Sequence, residues 1–309
     1  MKRRKKHIFF GIIILLIFAV YHGGEIEAQM QAEPRVETIT LGIVHENPRR
    51  SIEQHLDFVN YVATKLSSTS AIKGSVVVER TPLQLAKLLN EKRVDFYMES
   101  AYPTFLINEQ TGARVLLRRW KGAVTETRGV IFTRRDSGIT RLEDLLGKVI
   151  AFEDPGSTSA YFLPKAFLVR KGFKLTERAS FQEDVSPKEI GYLFAYDEEN
   201  IINWVILRKV AAGAFSNLDF EKFGEKRKAE IVILAETESV TRHLLSVRKD
   251  LDPALVTRLK EILLSMHQDE EGQRILKKTD RTSKFDLLPG GEEVMYKKIR
   301  ELLRITQGR

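Results

Sequence analysis

The chain has 309 residues, 43% of them apolar, with a formal net charge of +8 and no cysteine. That length fits two modest domains or one large one, and the apolar share excludes a mainly disordered protein. The missing cysteine excludes disulfides, thiolate metal sites, a cysteine nucleophile and a lipid-modified cysteine anchor.

At the N-terminus, Lys2-Arg3-Arg4-Lys5-Lys6 precedes an apolar run of fourteen residues, Ile8 to Tyr21. Such a pattern suits a signal peptide, since a spanning helix wants about 20 apolar residues. Ala28 is an imperfect cleavage position because Ile26 is larger than the small residue preferred there, so an uncleaved anchor stays open beside a cleaved signal. Either way the basic cluster keeps the N-terminus inside and sends the rest across the membrane. We therefore expect a periplasmic or other extracytoplasmic protein, touching the membrane only through residues 1–36 or through a membrane partner. Cleavage after Ala28 would remove five Lys/Arg and two Glu, taking +8 to +5. The remaining basic clusters, such as Arg118-Arg119 and Lys226-Arg227-Lys228, stand beside acidic residues and suit solvated faces, so no nucleic-acid partner is expected.

Thr38 to Val44 has the composition of a buried strand, followed by a loop at His45-Glu46-Asn47-Pro48. A helix is expected from Ser51, with Leu56, Val59, Val62, Ala63 and Leu66 at helical spacing. Gly74 to Arg80 is the next strand. Thr81 and Pro82 then form an N-cap with a first-turn proline, and Leu85, Leu88 and Leu89 give that helix an apolar side. Val94 to Met98 is a third strand, and strands alternating with helices make a parallel sheet the economical topology. Glu99, Ser100 and Tyr102 follow at the carboxyl edge, where open α/β sheets place their ligands. A purely structural cap by Ser100 remains an alternative. His45 is a candidate by its place after the first strand.

Ala113 to Trp120 and Thr125 to Thr133 are further strands, the latter long enough to cross between two lobes. A second α/β pattern begins with Lys148 to Phe152, which runs into Asp154-Pro155-Gly156-Ser157-Thr158-Ser159 and a helix from Ala160 to Lys171. The first amides of a helix have no intrahelical partner and carry the positive end of the macrodipole, so this turn attracts anions. Ser157, Thr158 and Ser159 add hydroxyl donors, although one of them is enough for a simple cap. Pro164 falls in the second turn and should kink or loosen it. Glu198 to Ala212 is a helical run, and Gly213 to Asn217 a short strand whose polar end makes Ser216 and Asn217 candidates. Glu230 to Thr237 would be a second crossing, with a strand at Leu244 to Val247, a helix opened by Asp252-Pro253 and a closing helix through Val294, Ile299 and Leu303 following.

The run DPGSTSAYFLPKAFL resembles the segment of periplasmic phosphate, phosphite and phosphonate-binding proteins of ABC transporters in which a Ser-Thr-Ser run binds the ligand oxyanion. The resemblance extends from about Thr38 to Tyr296, through the VAAGAF segment and KFDLLPGGEEVMYKKIRELL. It implies a two-lobe α/β solute-binding fold of type II, with a ligand cleft between the lobes and two hinge crossings. Residues 37–126 and 237–309 would form one lobe and 127–236 the other. The implied function is the extracytoplasmic binding component of an ABC importer, with a small oxyanion as ligand, an ABC permease as partner, and neither cofactor nor metal. Three departures stand out. Ala160 replaces a Gly that usually follows the hydroxyl run. Ser216 stands where relatives carry an Asp that contacts the ligand's amino end, and Glu99-Ser100 replaces a neutral Gly-Pro-rich turn.

A carboxylate beside an anion site is repulsive unless compensated. Glu99 would be held by a cation such as Arg128, would pair with a ligand ammonium, or would accept a proton-bearing ligand oxygen. Two other classes remain: a membrane-tethered sensory domain, if the N-terminal segment is retained, and a phosphoester-processing enzyme using a motif hydroxyl. The enzyme lacks a G-x-S-x-G elbow, a P-loop and H-E-x-x-H, and His45, His55, His243 and His267 have no metal-ligand spacing.

Overall fold

The computed structural model describes residues 37–67, 72–122 and 124–307; the proposed signal or anchor lies outside them. The chain opens with strand β1 (Glu37–Val44) and helix α1 (Pro48–Leu66), then β2 (Ile72–Glu79), α2 (Pro82–Asn90), β3 (Phe96–Ser100), α3 (Ala101–Thr111) and β4 (Arg114–Lys121). α1 starts three residues earlier than expected, because the Asn47 side chain accepts from Arg50 N at 3.1 Å with Pro48 in the first turn. Its buried stripe includes Ser51, His55, Phe58, Val59 and Val62, whereas Leu56 is 40% exposed and faces away. Thr81 caps α2, accepting from Gln84 N at 3.2 Å. Glu99 and Ser100 end β3 rather than following it.

The second lobe follows: β5 (Glu126–Thr127), β6 (Gly129–Arg134), β7 (Val149–Phe152), α4 (Leu163–Arg170), β8 (Lys174–Glu177), β9 (Glu189–Phe194), α5 (Glu198–Ile206), β10 (Ala212–Ser216), α6 (Asn217–Phe220), α7 (Glu225–Glu230) and β11 (Ile231–Glu236). The chain returns through β12 (Val240–Thr241) and β13 (His243–Val247), and ends with α8 (Pro253–Ser265), α9 (Glu270–Lys278), β14 (Thr282–Asp286) and α10 (Gly291–Thr306).

Two six-stranded sheets result, ordered β14-β4-β13-β3-β1-β2 and β11-β6-β10-β7-β9-β8. Both are mixed, not parallel throughout: β1 pairs parallel with β2 and β3, while β13 runs antiparallel to β3 and β4. The long strands expected to cross between lobes belong to the second sheet as β6 and β11. The paired crossing segments are the short β5 and β12, with Thr127 opposite Val240. Each lobe has apolar clusters of its own, and a further one is shared. Phe162, Leu163 and Ala166, which follow β7, pack with Ala101 and Phe105 of α3 and with Met295, Tyr296 and Ile299 of α10.

Candidate functional site

β7 delivers the chain to the hydroxyl motif at the carboxyl edge of the second sheet. Asp154 closes the turn by accepting from Gly156 N at 2.7 Å. Residues Thr158–Phe162 form a π turn that runs directly into α4, with Phe162 N donating to Ser157 O at 2.9 Å. The loosening expected from Pro164 is met this way, since the wide turn places Pro164 at the start of α4, where no donor is needed. The amides of Thr158 and Ser159 lie ahead of the first intrahelical bond and are available to an anion.

The three hydroxyls have different surroundings. Ser157 Oγ accepts from Ala160 N at 3.1 Å and donates to Glu153 Oε2 at 2.8 Å. Thr158, 2% exposed, reaches the other lobe: its Oγ1 donates to Ser100 Oγ and accepts from Tyr102 N, both at 2.9 Å. Ser159 Oγ makes no hydrogen bond among the described residues. Ser100 is the N-cap of α3 without a side-chain cap bond, so its hydroxyl serves the interlobe contact and not the helix. The Tyr102 ring stacks on Phe162 at 4.1 Å between centroids, again across the lobes.

Glu99 sits beside this contact. Its carboxylate accepts from Val44 N at 3.0 Å and Ser100 N at 3.3 Å. Arg128 does not compensate it, because the Arg128 guanidinium pairs with Glu236 at 2.7 Å on the hinge side. Burial pushes Glu99 up to about 7; the two amide bonds pull the other way, and Asp154 across the cleft adds to the rise. His45, exposed in the loop after β1, accepts from Asn47 N at Nδ1 over 2.8 Å, which puts a neutral ring's proton on Nε2. Partial desolvation and then Arg50 lower its pKa.

Ser216 and Asn217 are placed at the carboxyl end of β10 but spend their side chains within the second lobe. Ser216 Oγ donates to Asp219 Oδ2 at 2.6 Å and accepts from Asp219 N at 3.1 Å. Asn217 Oδ1 accepts from Arg128 N at 3.1 Å and ties the start of α6 to the hinge.

Sequence reasoning missed several charged groups brought to the same edges. Glu153 and Asp154 are pushed up by burial, Glu153 to about 8 with Asp154 and Asp219 contributing. Lys222 is paired with Asp219 and, at 3.3 Å, with Glu198. On the first sheet, β13 places His243 opposite both Ser100 and Arg119. Arg119, 2% exposed, donates to Thr282 Oγ1 at 2.7 Å and to Thr279 O at 2.9 Å, while Lys121 pairs with Asp280 at 2.5 Å. Burial, then Lys121 and Arg119, hold His243 well below its ordinary range, so its ring is neutral. The turn that brings Glu153 to Ser157 is not helical, so their sequence spacing carried no signal, and Arg119 and His243 become neighbours only through strand pairing.

Residues 42–287 match the family described as "ABC transporter, phosphonate, periplasmic substrate-binding protein". Among solved structures, protein XAC2383 from Xanthomonas citri bound to chloride is 25% identical over 88% of this chain and 99% of its own, with a TM-score of 0.83. The same protein bound to ATP gives 0.81. PhnD1 from Prochlorococcus marinus in complex with methylphosphonate is 17% identical, over 87% of this chain and 97% of its own, at 0.67. The two mixed-sheet α/β lobes are the architecture of type II periplasmic binding proteins. With the Ser-Thr-Ser turn at the head of α4 and that family match over most of the sequence, the chain belongs to the periplasmic phosphonate substrate-binding family of ABC transporters.

Proposed function

We propose that the chain captures a small tetrahedral oxyanion of the phosphate, phosphite or phosphonate class outside the cytoplasm and presents it to an ABC permease. The N-terminal run would act as an export signal or anchor, residues 37–126 with 237–309 would form one lobe, and 127–236 the other. The observation that carries this reading is the start of the π turn, where the Thr158 and Ser159 amides and the Ser159 hydroxyl are left for a ligand while Thr158 Oγ1 is engaged by the opposite lobe. Ser157, Ser100, Tyr102 and His45 would border the ligand. Ser216 and Asn217 would shape the site through Asp219 and the hinge.

Glu99 would accept a hydrogen bond from the ligand, which favours an oxyanion bearing a proton over fully deprotonated sulfate. Binding without bond-breaking is the role proposed, in keeping with a family of solute-binding proteins. A thermal-shift panel of phosphate, phosphite, methylphosphonate, 2-aminoethylphosphonate and sulfate tests this. A true ligand at 100 times its Kd should stabilise the chain by about 2.7 kcal/mol, with sulfate the weakest. Stabilisation by sulfate alone, or by none of the five, would reject the proposal.

A further inference from the structure

Glu153 stands at the last position before the Asp154 turn, and its Oε2 holds the hydrogen of Ser157 Oγ at 2.8 Å. The same oxygen of Ser157 accepts from Ala160 N at 3.1 Å. A hydroxyl has a single hydrogen to give. While Glu153 is ionised, then, Ser157 offers an arriving anion only lone pairs, and the Glu153 charge opposes that anion as well. One event removes both obstacles. If Glu153 takes a proton on Oε2, its new O–H can donate to Ser157 Oγ, and the Ser157 hydrogen turns outward to the ligand.

We propose that Glu153 is a proton-linked specificity residue: an oxyanion binds together with one proton from solvent, which bonds to Glu153 Oε2 and releases the Ser157 hydroxyl hydrogen to the ligand. The proposal rests on the oxyanion reading above. The charges that bear directly on Glu153 are acidic. Asp154 is next to it in the turn, Asp219 approaches from α6, and Glu198 from the start of α5. Lys222 is tied to Asp219 and Glu198 and divides its charge between them. From the first lobe, Glu46 acts on Asp154, as Asp154 does on Glu99. Carboxylates predominate in this group, and burial adds to their effect, so a proton is within reach of Glu153 near neutral pH.

Calorimetric titration of the full chain with methylphosphonate, in paired buffers of different ionisation enthalpy, counts the protons taken up. Comparison with Glu153→Gln, whose amide imitates the protonated acid, cancels the ionisation of the ligand and of Glu99. At about pH 9 the wild-type chain should take up about one proton more than the Gln variant, and its affinity should fall about tenfold per pH unit relative to that variant. Ser157→Ala supplies a second reading that does not depend on the Gln chain folding. It should lower affinity roughly tenfold or more at about pH 7 and by less at about pH 9 in the wild-type background, because losing the hydroxyl that stabilises the Glu153 carboxylate also makes Glu153 easier to protonate. Equal proton uptake by wild type and Gln variant, or a Ser157→Ala loss independent of pH, overturns the inference and leaves oxyanion capture standing. No binding of methylphosphonate to any chain at any pH overturns both.

Discussion

Glu99 has its charge set by burial, which outweighs two backbone amides and the more distant Lys121 that favour the ionised form. Its folded pKa, about 7, lies above the unfolded value of 4.5, so both states hold the proton in acid. As pH rises through that window the unfolded chain releases its proton first, and folded stability declines by up to about 3 kcal/mol. Glu99→Gln should therefore lose less stability than wild type between about pH 5 and pH 8, which paired urea melts at the two pH values read directly. Parallel losses in the two chains would mean that Glu99 is ionised in the fold at ordinary carboxylate pH. Sequence position made this residue conspicuous, but its partners were not legible. Arg128 looked available in sequence and is held by Glu236 through a contact 108 residues away.

Among the elements, the hydroxyl turn is set against β6 by a missing side chain. A Cβ on Gly129 would lie 2.6 Å from Ser159 O and 2.8 Å from Pro164 Cγ, so backbone and proline ring would both have to move. Gly129→Ala should shift the start of the π turn, destabilise the chain by about 1–3 kcal/mol and weaken oxyanion binding. Denaturant midpoints and methylphosphonate titration together check this, and unchanged affinity would separate the turn's geometry from the site. The turn itself was readable from Pro-Gly, three hydroxyls and Pro164, because local chemistry dictates it. β8 was not, since Lys174-Leu175-Thr176-Glu177 is a polar edge strand without alternation strong enough to announce itself. The helix expected to run from Glu198 to Ala212 stops at Ile206, with Arg208 at a φ of 60° and no glycine to signal the end. α9 is short and charged, and its burial of Ile275 and Leu276 depends on α1 and β14, which no local window contains.

For the whole molecule, the lobes meet through the Thr158 hydroxyl, the Tyr102–Phe162 stack and the apolar cluster shared by α3, α4 and α10. Closure is thus written into the same turn that is proposed to hold the ligand. Thr158→Val keeps the shape and removes both hydrogen bonds, leaving Ser100 Oγ and Tyr102 N without their partner. The population should shift toward an open form, seen as a larger radius of gyration in small-angle scattering without ligand. An unchanged radius would assign closure to the apolar contacts alone. The two-lobe outline was legible from alternating strands and helices together with the motif, and the first expected crossing, Thr125 to Thr133, contains β5. β6 and β11 are apolar enough to read as crossings, yet they pair within the second sheet, while the two-residue strands β5 and β12 pair with each other.

A crystal structure of the chain with methylphosphonate would show whether an oxyanion sits at the head of the π turn. We expect the phosphonate oxygens at about 2.7–3.1 Å from Thr158 N, Ser159 N and Ser159 Oγ, the ordinary range for such bonds. Ligand bound instead beside Arg119 and Lys121, with the turn empty, would mean that the hydroxyl motif is a helix start and not the anion site.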